Sequence, residues 1–381
     1  MNIAIDINGI TAGGGLGNYL RQFVPALAQA DKDNRYFLYL HSWNPPALPR
    51  GTVPDTPNFS LITQRLPQKA ELLGERLLGL RLIEPFLLRR GIDVFHGPAN
   101  ILPRLRRIRS VLTLHHYMSP EDRFFSTHLG PMERFYFRAT DASLTEATQI
   151  MTDSEFTRRD ALGRFPLDPA RVTTVYAGPS GLPPAPAPGR VREILAAYGL
   201  TERYLLFVGP INERKNLPRL LKAFALARAS APGLILAVSG DGAPAYMGII
   251  KAWVGQLGLG PYVVFTGRTS AEQAAALYAG AAALCYPSLF EGFGYPPLEA
   301  MAAGCPVAAS KAASIPEIVG KAGLLFDPEN TAEMAAAIVR VSTDEALRAG
   351  LIASGREQAA GFSWLKAARE AVRIYGRAYN S

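Results

Sequence analysis

Two acids eight positions apart carry the densest chemistry in this 381-residue chain: Glu291 and Glu299, in the run Pro287-Ser288-Leu289-Phe290-Glu291-Gly292-Phe293-Gly294-Tyr295-Pro296-Pro297-Leu298-Glu299. Ionised carboxylates accept hydrogen bonds from polyol hydroxyls, and Gly292 and Gly294 let backbone N–H groups face a ligand. With no ligand in view, Glu291 reads as a solvated loop charge and Glu299 as compensation for the dipole of a helix that Pro297 starts. A second cluster is Arg214 and Lys215, in Pro210-Ile211-Asn212-Glu213-Arg214-Lys215-Asn216 between an apolar strand and an amphipathic helix. Adjacent cations at such a junction are placed to meet a diphosphate. At about 4 Å and an effective dielectric near 20, an ion contact is worth roughly 4 kcal/mol before desolvation. The same residues also read as a solvated Glu-Arg-Lys turn.

A glycine-rich loop, Asn8 to Gly17 with Gly13, Gly14 and Gly15 in succession, opens a helix read as Asn18 to Ala28. Glycines permit close backbone approach, and a helix amino terminus offers N–H groups and partial positive charge to a phosphate or other anion. Its spacing is not G-x-G-x-x-G, and the chain holds no G-x-x-x-x-G-K-[ST], so dinucleotide and P-loop readings gain little. A mere flexible loop is the plain alternative. His115 ends a strand and suits proton or hydrogen-bond work, although a lone histidine is more often structural; His96, ending another, is read as structural. Asp31-Lys32-Asp33 spells D-x-D but sits in a polar turn without supporting ligands, so no metal site is expected there.

The elements that must position these residues are short apolar runs alternating with helical patterns, the signature of βαβ units and parallel sheets. Candidate strands are 2–7, 35–40, 60–63, 93–96, 110–115, 149–153 and 172–176, then 204–208, 234–239, 263–266, 282–286, 306–309 and 323–326. Between the two sets lies 178–189, where five prolines and three glycines in twelve residues forbid a core element and mark a linker. Open parallel sheets bind ligands outside the carboxyl ends of their strands. The expected fold is therefore α/β, two Rossmann-like doubly wound parallel-sheet domains facing a cleft, with the site in that cleft. The domains are bounded at 1–182 and 190–361, and a closing helical segment, 362–381, could pack on either by its pattern alone.

Composition narrows the class. Hydrophobic residues at 48% and charged residues at 19% exclude disorder, and no window approaches the roughly 18–20 apolar residues of a membrane-spanning helix. The amino terminus carries Asp6 where a secretory signal needs basic residues, so a cytoplasmic location is expected. Cys285 and Cys305 lack metal-ligating neighbours and read as buried side chains. A net charge of +8 favours anionic partners, but the basic run Arg104, Arg106, Arg107 and Arg109 has no interleaved aromatics, so nucleic acid is not expected.

Taken together, these segments resemble glycosyltransferase family 4, retaining sugar transferases of the GT-B fold. The resemblance rests on Glu291 to Glu299, which matches the family's E-x7-E motif, and on the glycine loop, Val208-Gly209 with Arg214-Lys215-Asn216, Ser239-Gly240-Asp241-Gly242, and Thr152 to Thr157. It extends over nearly the whole chain, and Phe362-Ser363-Trp364 looks like the start of the helix that crosses back to the first domain. The resemblance implies an acceptor domain first and a nucleotide-sugar domain second. It assigns the donor diphosphate to Arg214 and Lys215, the ribose hydroxyls to Glu299, and the donor sugar to Glu291 with Gly292, Phe293 and Gly294. It places His115 near the transferred sugar, so that His115 and Glu291 are the catalytic candidates, and brings Gly14 or Gly15 to phosphate or acceptor. Many members have arginine after the strand glycine where this chain has Pro210, which puts more of the diphosphate's compensation on Arg214 and Lys215. By the same analogy the mechanism is front-face retention without a metal or other cofactor.

The Pro-Pro after Gly-Phe-Gly-Tyr and the Glu-Arg-Lys-Asn wording resemble bacterial mannosyltransferases of polysaccharide assembly, which implies GDP-mannose as donor and a polyprenyl-diphosphate-linked or other saccharide acceptor. A UDP-sugar transferase, a nucleotide-sugar epimerase of the same fold, and a non-catalytic two-domain binding protein are the competing readings. The leucine-rich stretch 72–88, bordered by Arg76, Arg81, Arg89 and Arg90, fits an anionic bilayer at the inner face of the cytoplasmic membrane, and equally an amphipathic helix against the first sheet.

Overall fold

The computed structural model describes residues 1–67, 74, 75, 78–119, 130–201 and 203–381. They form two compact units, Met1–Ser180 with Ser363–Ser381, and Gly181–Phe362. In the first, β1 (Asn2–Asp6), α1 (Gly15–Ala30), β2 (Arg35–His41), β3 (Phe59–Gln64), α2 (Glu84–Leu88), β4 (Val94–Gly97), β5 (Arg109–Leu114), α3 (Pro131–Glu146), β6 (Gln149–Thr152), α4 (Glu155–Arg164) and β7 (Val172–Thr174) follow in sequence. The second continues with α5 (Pro188–Ala197), β8 (Tyr204–Val208), α6 (Leu217–Ala227), β9 (Leu236–Ser239), α7 (Pro244–Gln256), β10 (Val263–Gly267), α8 (Ala271–Gly280), β11 (Ala281–Tyr286), α9 (Tyr295–Ala303), β12 (Val307–Ser310), α10 (Ile315–Val319), β13 (Leu324–Phe326), α11 (Thr331–Thr343) and α12 (Glu345–Ala360).

Strand order is β3-β2-β1-β4-β5-β6-β7 in one sheet and β10-β9-β8-β11-β12-β13 in the other, with parallel pairing throughout. Parallel sheets covered by helices on both faces bury whole strands, which is why β4, β6, β9, β11 and β12 are continuous buried runs rather than alternating ones. The edge strand β3 is largely open to solvent instead, with only Phe59 buried. In each sheet the order reverses direction between one adjacent pair, β1 with β4 and β8 with β11. The loops leaving the carboxyl ends of those four strands carry most of the residues singled out above.

Several boundaries move for local reasons. The helix after the glycine loop begins at Gly15, not Asn18, because Gly14 takes φ 87° as its N-cap. The proline-rich linker gives way to α5 at Pro188, a residue that suits the first helical turn. Likewise α9 starts at Tyr295 rather than Pro297, with proline in its first turn. The stretch 72–88 lies partly outside the described residues. Its described part is not one helix: residues 79–83 leave helical geometry at Gly79, φ 67°, before the short α2. No helix among the described residues is long and apolar enough to cross a membrane.

The last helix, α13 (Trp364–Tyr379), packs on the first unit. Ala367, Ala368, Ala371, Ile374, Tyr375 and Ala378 recur at helical spacing and are buried, forming one apolar stripe. Small residues on that stripe let the backbone approach α1, and burying Ile374 fully contributes roughly 1.5–3 kcal/mol. The Trp364 indole donates to the Pro179 carbonyl at 2.6 Å, and Tyr375 Oη meets His96 Nδ1 at 2.8 Å.

Candidate active site

Arg214, Lys215 and Glu291 lie 76 and 77 residues apart in sequence and meet at the carboxyl ends of β8 and β11. Local chemistry sets up each loop. After β8, Asn212 caps the turn Glu213–Lys215, and Asn216 takes the left-handed conformation, φ 60°, that ends it. The Asn216 amide then donates to the carbonyls of Pro287 and Pro328, at 3.1 and 2.8 Å, and so pins the basic turn to the loop after β11. That loop is held from its other side by Ser314, whose hydroxyl donates to the carbonyls of Glu291 and Phe293. Gly294 closes it at φ 118°, a backbone state costly for any other residue, and caps α9.

Within this frame the Glu291 carboxylate receives four donors. Oε1 accepts from Lys215 Nζ at 2.7 Å, from the Tyr286 hydroxyl at 3.0 Å and from the Ser288 hydroxyl; Oε2 accepts from Arg214 at 2.7 Å. Arg214 also donates to the Phe290 carbonyl at 2.6 Å, and Lys215 to the Tyr286 hydroxyl. Burial alone would push the Glu291 carboxyl up, but Lys215 and Arg214 outweigh it and hold it at about 2. Burial lowers the Lys215 ammonium, against the pull of Glu291, while Arg214 is raised because Glu291 overcomes its burial. Two cations and one carboxylate leave the cluster with a net positive charge in a site where Lys215 is 4% exposed, and low dielectric strengthens its field.

Glu291 therefore anchors the cations, with about as many partners as an ionised carboxylate can accept. Its neighbours Gly292, Phe293 and Gly294 are buried around it, and Phe293 stacks edge-on with Phe362. Glu299 lies in the second turn of α9, half-buried, and accepts from the Tyr278 hydroxyl at 2.8 Å. Its charge favours the charged form of Lys215. The signal for this assembly that spacing did not supply is Tyr286, the last residue of β11, whose hydroxyl joins Lys215 to Glu291.

Close packing of neighbouring loops explains the Gly240 and Gly242 pattern. A Cβ on Gly240 would lie 1.9 Å from the Gly209 carbonyl oxygen, and one on Gly242 would lie 2.2 Å from that of Ile211. Ile211 donates to Asp241 in the same seam. The loops after β8 and β9 thus run side by side behind the basic turn.

The first unit holds the other candidates. Gly14 and Gly15 are exposed at the start of α1, which has no side-chain cap. Arg21 steadies the loop by donating to the Ile10 carbonyl at 2.7 Å. His115, just past β5, has Nδ1 2.6 Å from Asp153 and Nε2 2.7 Å from the Pro98 carbonyl oxygen. His96 bridges Thr113 and Tyr375, and burial depresses it to about 3, so it is neutral and structural. Asp31, of the D-x-D triplet, spends its carboxylate on Asn34 and Tyr36 in its own turn. Cys285 and Cys305 are free and buried.

Residues 13–179 match the family described as Glycosyltransferase Family 4, and residues 193–358 match Glycosyl transferases group 1. Over 292 residues the chain is 30% identical to the O-antigen chain mannosyltransferase B of Escherichia coli, covering 74% of each. It is 28% identical to the MMP alpha-(1->4)-mannosyltransferase of Mycolicibacterium hassiacum, over 96% of this chain and 95% of that one. Sucrose-phosphate synthase from Thermosynechococcus elongatus shares the fold, with a TM-score of 0.76 at 23% identity over 99% of this chain and 98% of that one. Family models that match both units, together with a relative 30% identical over 74% of the chain, place this chain in glycosyltransferase family 4, an enzyme of the GT-B fold.

Proposed function

We propose that the enzyme transfers mannose from GDP-mannose, with retention of anomeric configuration, to a saccharide acceptor in polysaccharide assembly. The observation that carries this is the buried cluster of Arg214 and Lys215 around Glu291, which keeps positive charge in excess at the carboxyl ends of β8 and β11. Breaking the bond to the sugar builds negative charge on the departing diphosphate. Cations already fixed by Glu291, Ser288 and Tyr286 stabilise that charge without reorganising, which is where preorganised donors act most strongly. In this reading Glu299 accepts from the ribose hydroxyls. The backbone of Gly292 to Gly294 faces the sugar, and Glu291 serves the reaction through the cations it orients. The departing phosphate takes the acceptor's proton on the same face, and no metal has a part. Mannose is favoured by the two mannosyltransferase relatives, which match most of this chain.

The acceptor is read as lipid-linked, which would bring the first unit to an anionic membrane. Arg81, Arg89, Arg90, Arg106, Arg107 and Arg109 are exposed, and Leu78 is 73% exposed. The carboxylates of Glu75 and Glu84 turn inward to accept from the backbone N–H groups of Arg104, Arg106 and Arg107, so the acids hold the basic segment without covering it. The test is transfer from a panel of GDP- and UDP-sugars, with thermal stability measured for each nucleotide, because a ligand of the native state alone raises stability. Stabilisation and turnover by GDP-mannose are expected. Preference for a UDP-sugar would overturn the donor assignment, and turnover without acceptor would point to an epimerase.

A further inference from the structure

His115 is held by two segments through three hydrogen bonds. Its backbone N–H donates to Asn100 Oδ1 at 2.9 Å, its Nδ1 lies 2.6 Å from Asp153 Oδ2, and its Nε2 lies 2.7 Å from the carbonyl oxygen of Pro98. A carbonyl oxygen cannot donate, and neither can an ionised carboxylate. A neutral imidazole has one N–H, so it would leave one of these short contacts as two lone pairs facing each other. Both nitrogens therefore carry hydrogen. Were the shared proton on Asp153 instead, the pair would hold the same number of protons; the ring, whose charged form Asp153 and the Pro98 carbonyl favour, is where it is placed.

We infer that Asp153 is a positioning residue that, with the Pro98 carbonyl, keeps His115 doubly protonated and immobile, so that the ring contributes a fixed positive charge and does not act as the base that receives the acceptor's proton. The effect on catalysis rests on the transferase reading above; the protonation state does not. The surroundings agree. The titratable groups packed against the ring among the described residues are Asp153 at the head of α4, Tyr19 of α1 and His96 of β4. Tyr19 meets the ring edge-on at 5.0 Å, and burial pushes its hydroxyl far above its ordinary value, so it stays neutral. His96 is neutral as well and adds no repulsion. Burial works against the His115 charge, but Asp153 and the Pro98 carbonyl overcome it and raise its pKa.

Because the raised value belongs to the folded protein, the locked arrangement is complete below it and is lost as pH rises through it. Deprotonation would turn one of the two ring contacts repulsive, while the backbone bond from His115 to Asn100 stays in place.

The experiment is nitrogen-15 NMR of the full chain labelled at histidine, with His115→Gln to assign its signal among the five histidines, alongside pH profiles of kcat and KM. At neutral pH the native His115 should show two protonated nitrogens. The alkaline limb of kcat should coincide with its titration, and KM for the donor should change little along it. In Asp153→Asn both the titration and the limb should move to lower pH together, and Asp153→Glu should restore part of the shift. A single protonated nitrogen in the native protein at neutral pH would overturn the inference, as would a limb that stays in place when the titration moves. If Asp153→Asn fails to fold, the native spectrum alone decides the protonation state. A doubly protonated His115 in a protein that does not use GDP-mannose would refute the donor assignment and leave this inference standing.

Discussion

Replacing Glu291 by glutamine keeps the shape of the cluster and removes the one charge that holds it. Lys215 and Arg214 would then be buried together without their shared counter-ion. The Glu291 carboxyl sits at about 2 where the ordinary value is 4.5; at about 1.4 kcal/mol per unit, that depression is worth roughly 3 kcal/mol to the folded unit. Removing one partner of a buried ion pair costs about 3–5 kcal/mol by comparison with other proteins, the same range. Lys215 limits the loss, because burial already lowers its pKa and it can shed its proton. The expected destabilisation of the second unit is therefore about 3 kcal/mol at neutral pH. The assay is urea unfolding with hydrogen-exchange pulse labelling of β11, whose residues are all buried, so that this unit is read separately from the other. With m near 2 kcal/mol/M, the midpoint should fall by about 1.5 M. The sign with pH follows from the depressed value: the native advantage is complete above the unfolded carboxyl's range and is lost as pH falls towards about 2. Equal midpoints at neutral pH would refute the reasoning, as would a gap that does not narrow on acidification.

Lys215→Ala leaves Glu291 with Arg214, Tyr286 and Ser288, so the variant should fold, while its kcat/KM should fall by roughly 2–4 kcal/mol in barrier, as for other lost donors to developing charge; unchanged kinetics would remove its diphosphate role. Gly240→Ala should destabilise the second unit by well over 1 kcal/mol, because the new Cβ meets the Gly209 carbonyl at 1.9 Å and φ is 133°. Gly248→Ala, in α7 with nothing within 4 Å, should instead stabilise slightly; thermal unfolding of the pair would contradict the packing account if the two behaved alike. Arg106→Glu combined with Arg107→Glu should reduce sedimentation with vesicles containing anionic lipid and leave transfer to a soluble acceptor intact; undiminished sedimentation would remove this segment from the membrane reading.

Much of the architecture was legible because buried parallel strands are nearly continuous apolar runs that need no partner to be recognised. The run 204–208 and the strand Tyr204–Val208 coincide for that reason. Helix starts were harder: Pro297 announces a first turn but does not say whether it is the first or third residue of it, and Gly14 could set its left-handed cap only once the loop before it was placed. The pairings within the site were not legible at all. Glu291 and Lys215 are joined through loops on two strands made neighbours by crossover connections, and no local spacing encodes that contact. The same holds for Asp153, whose segment was singled out but whose partner, His115, lies 38 positions away. Glu75 and Glu84 show the opposite effect: within a basic, leucine-rich stretch they look like surface charges, yet each is buried and satisfied by backbone donors.

The most direct measurement is calorimetric binding of bare GDP and UDP to the native chain and to Arg214→Ala, Lys215→Ala and Glu299→Ala. GDP should bind more tightly than UDP, and each substitution should weaken it by roughly tenfold to a hundredfold, the range for a lost hydrogen bond to a charged group. Binding of GDP with the same affinity in all four proteins would contradict the assignment of its phosphates and ribose to these three side chains.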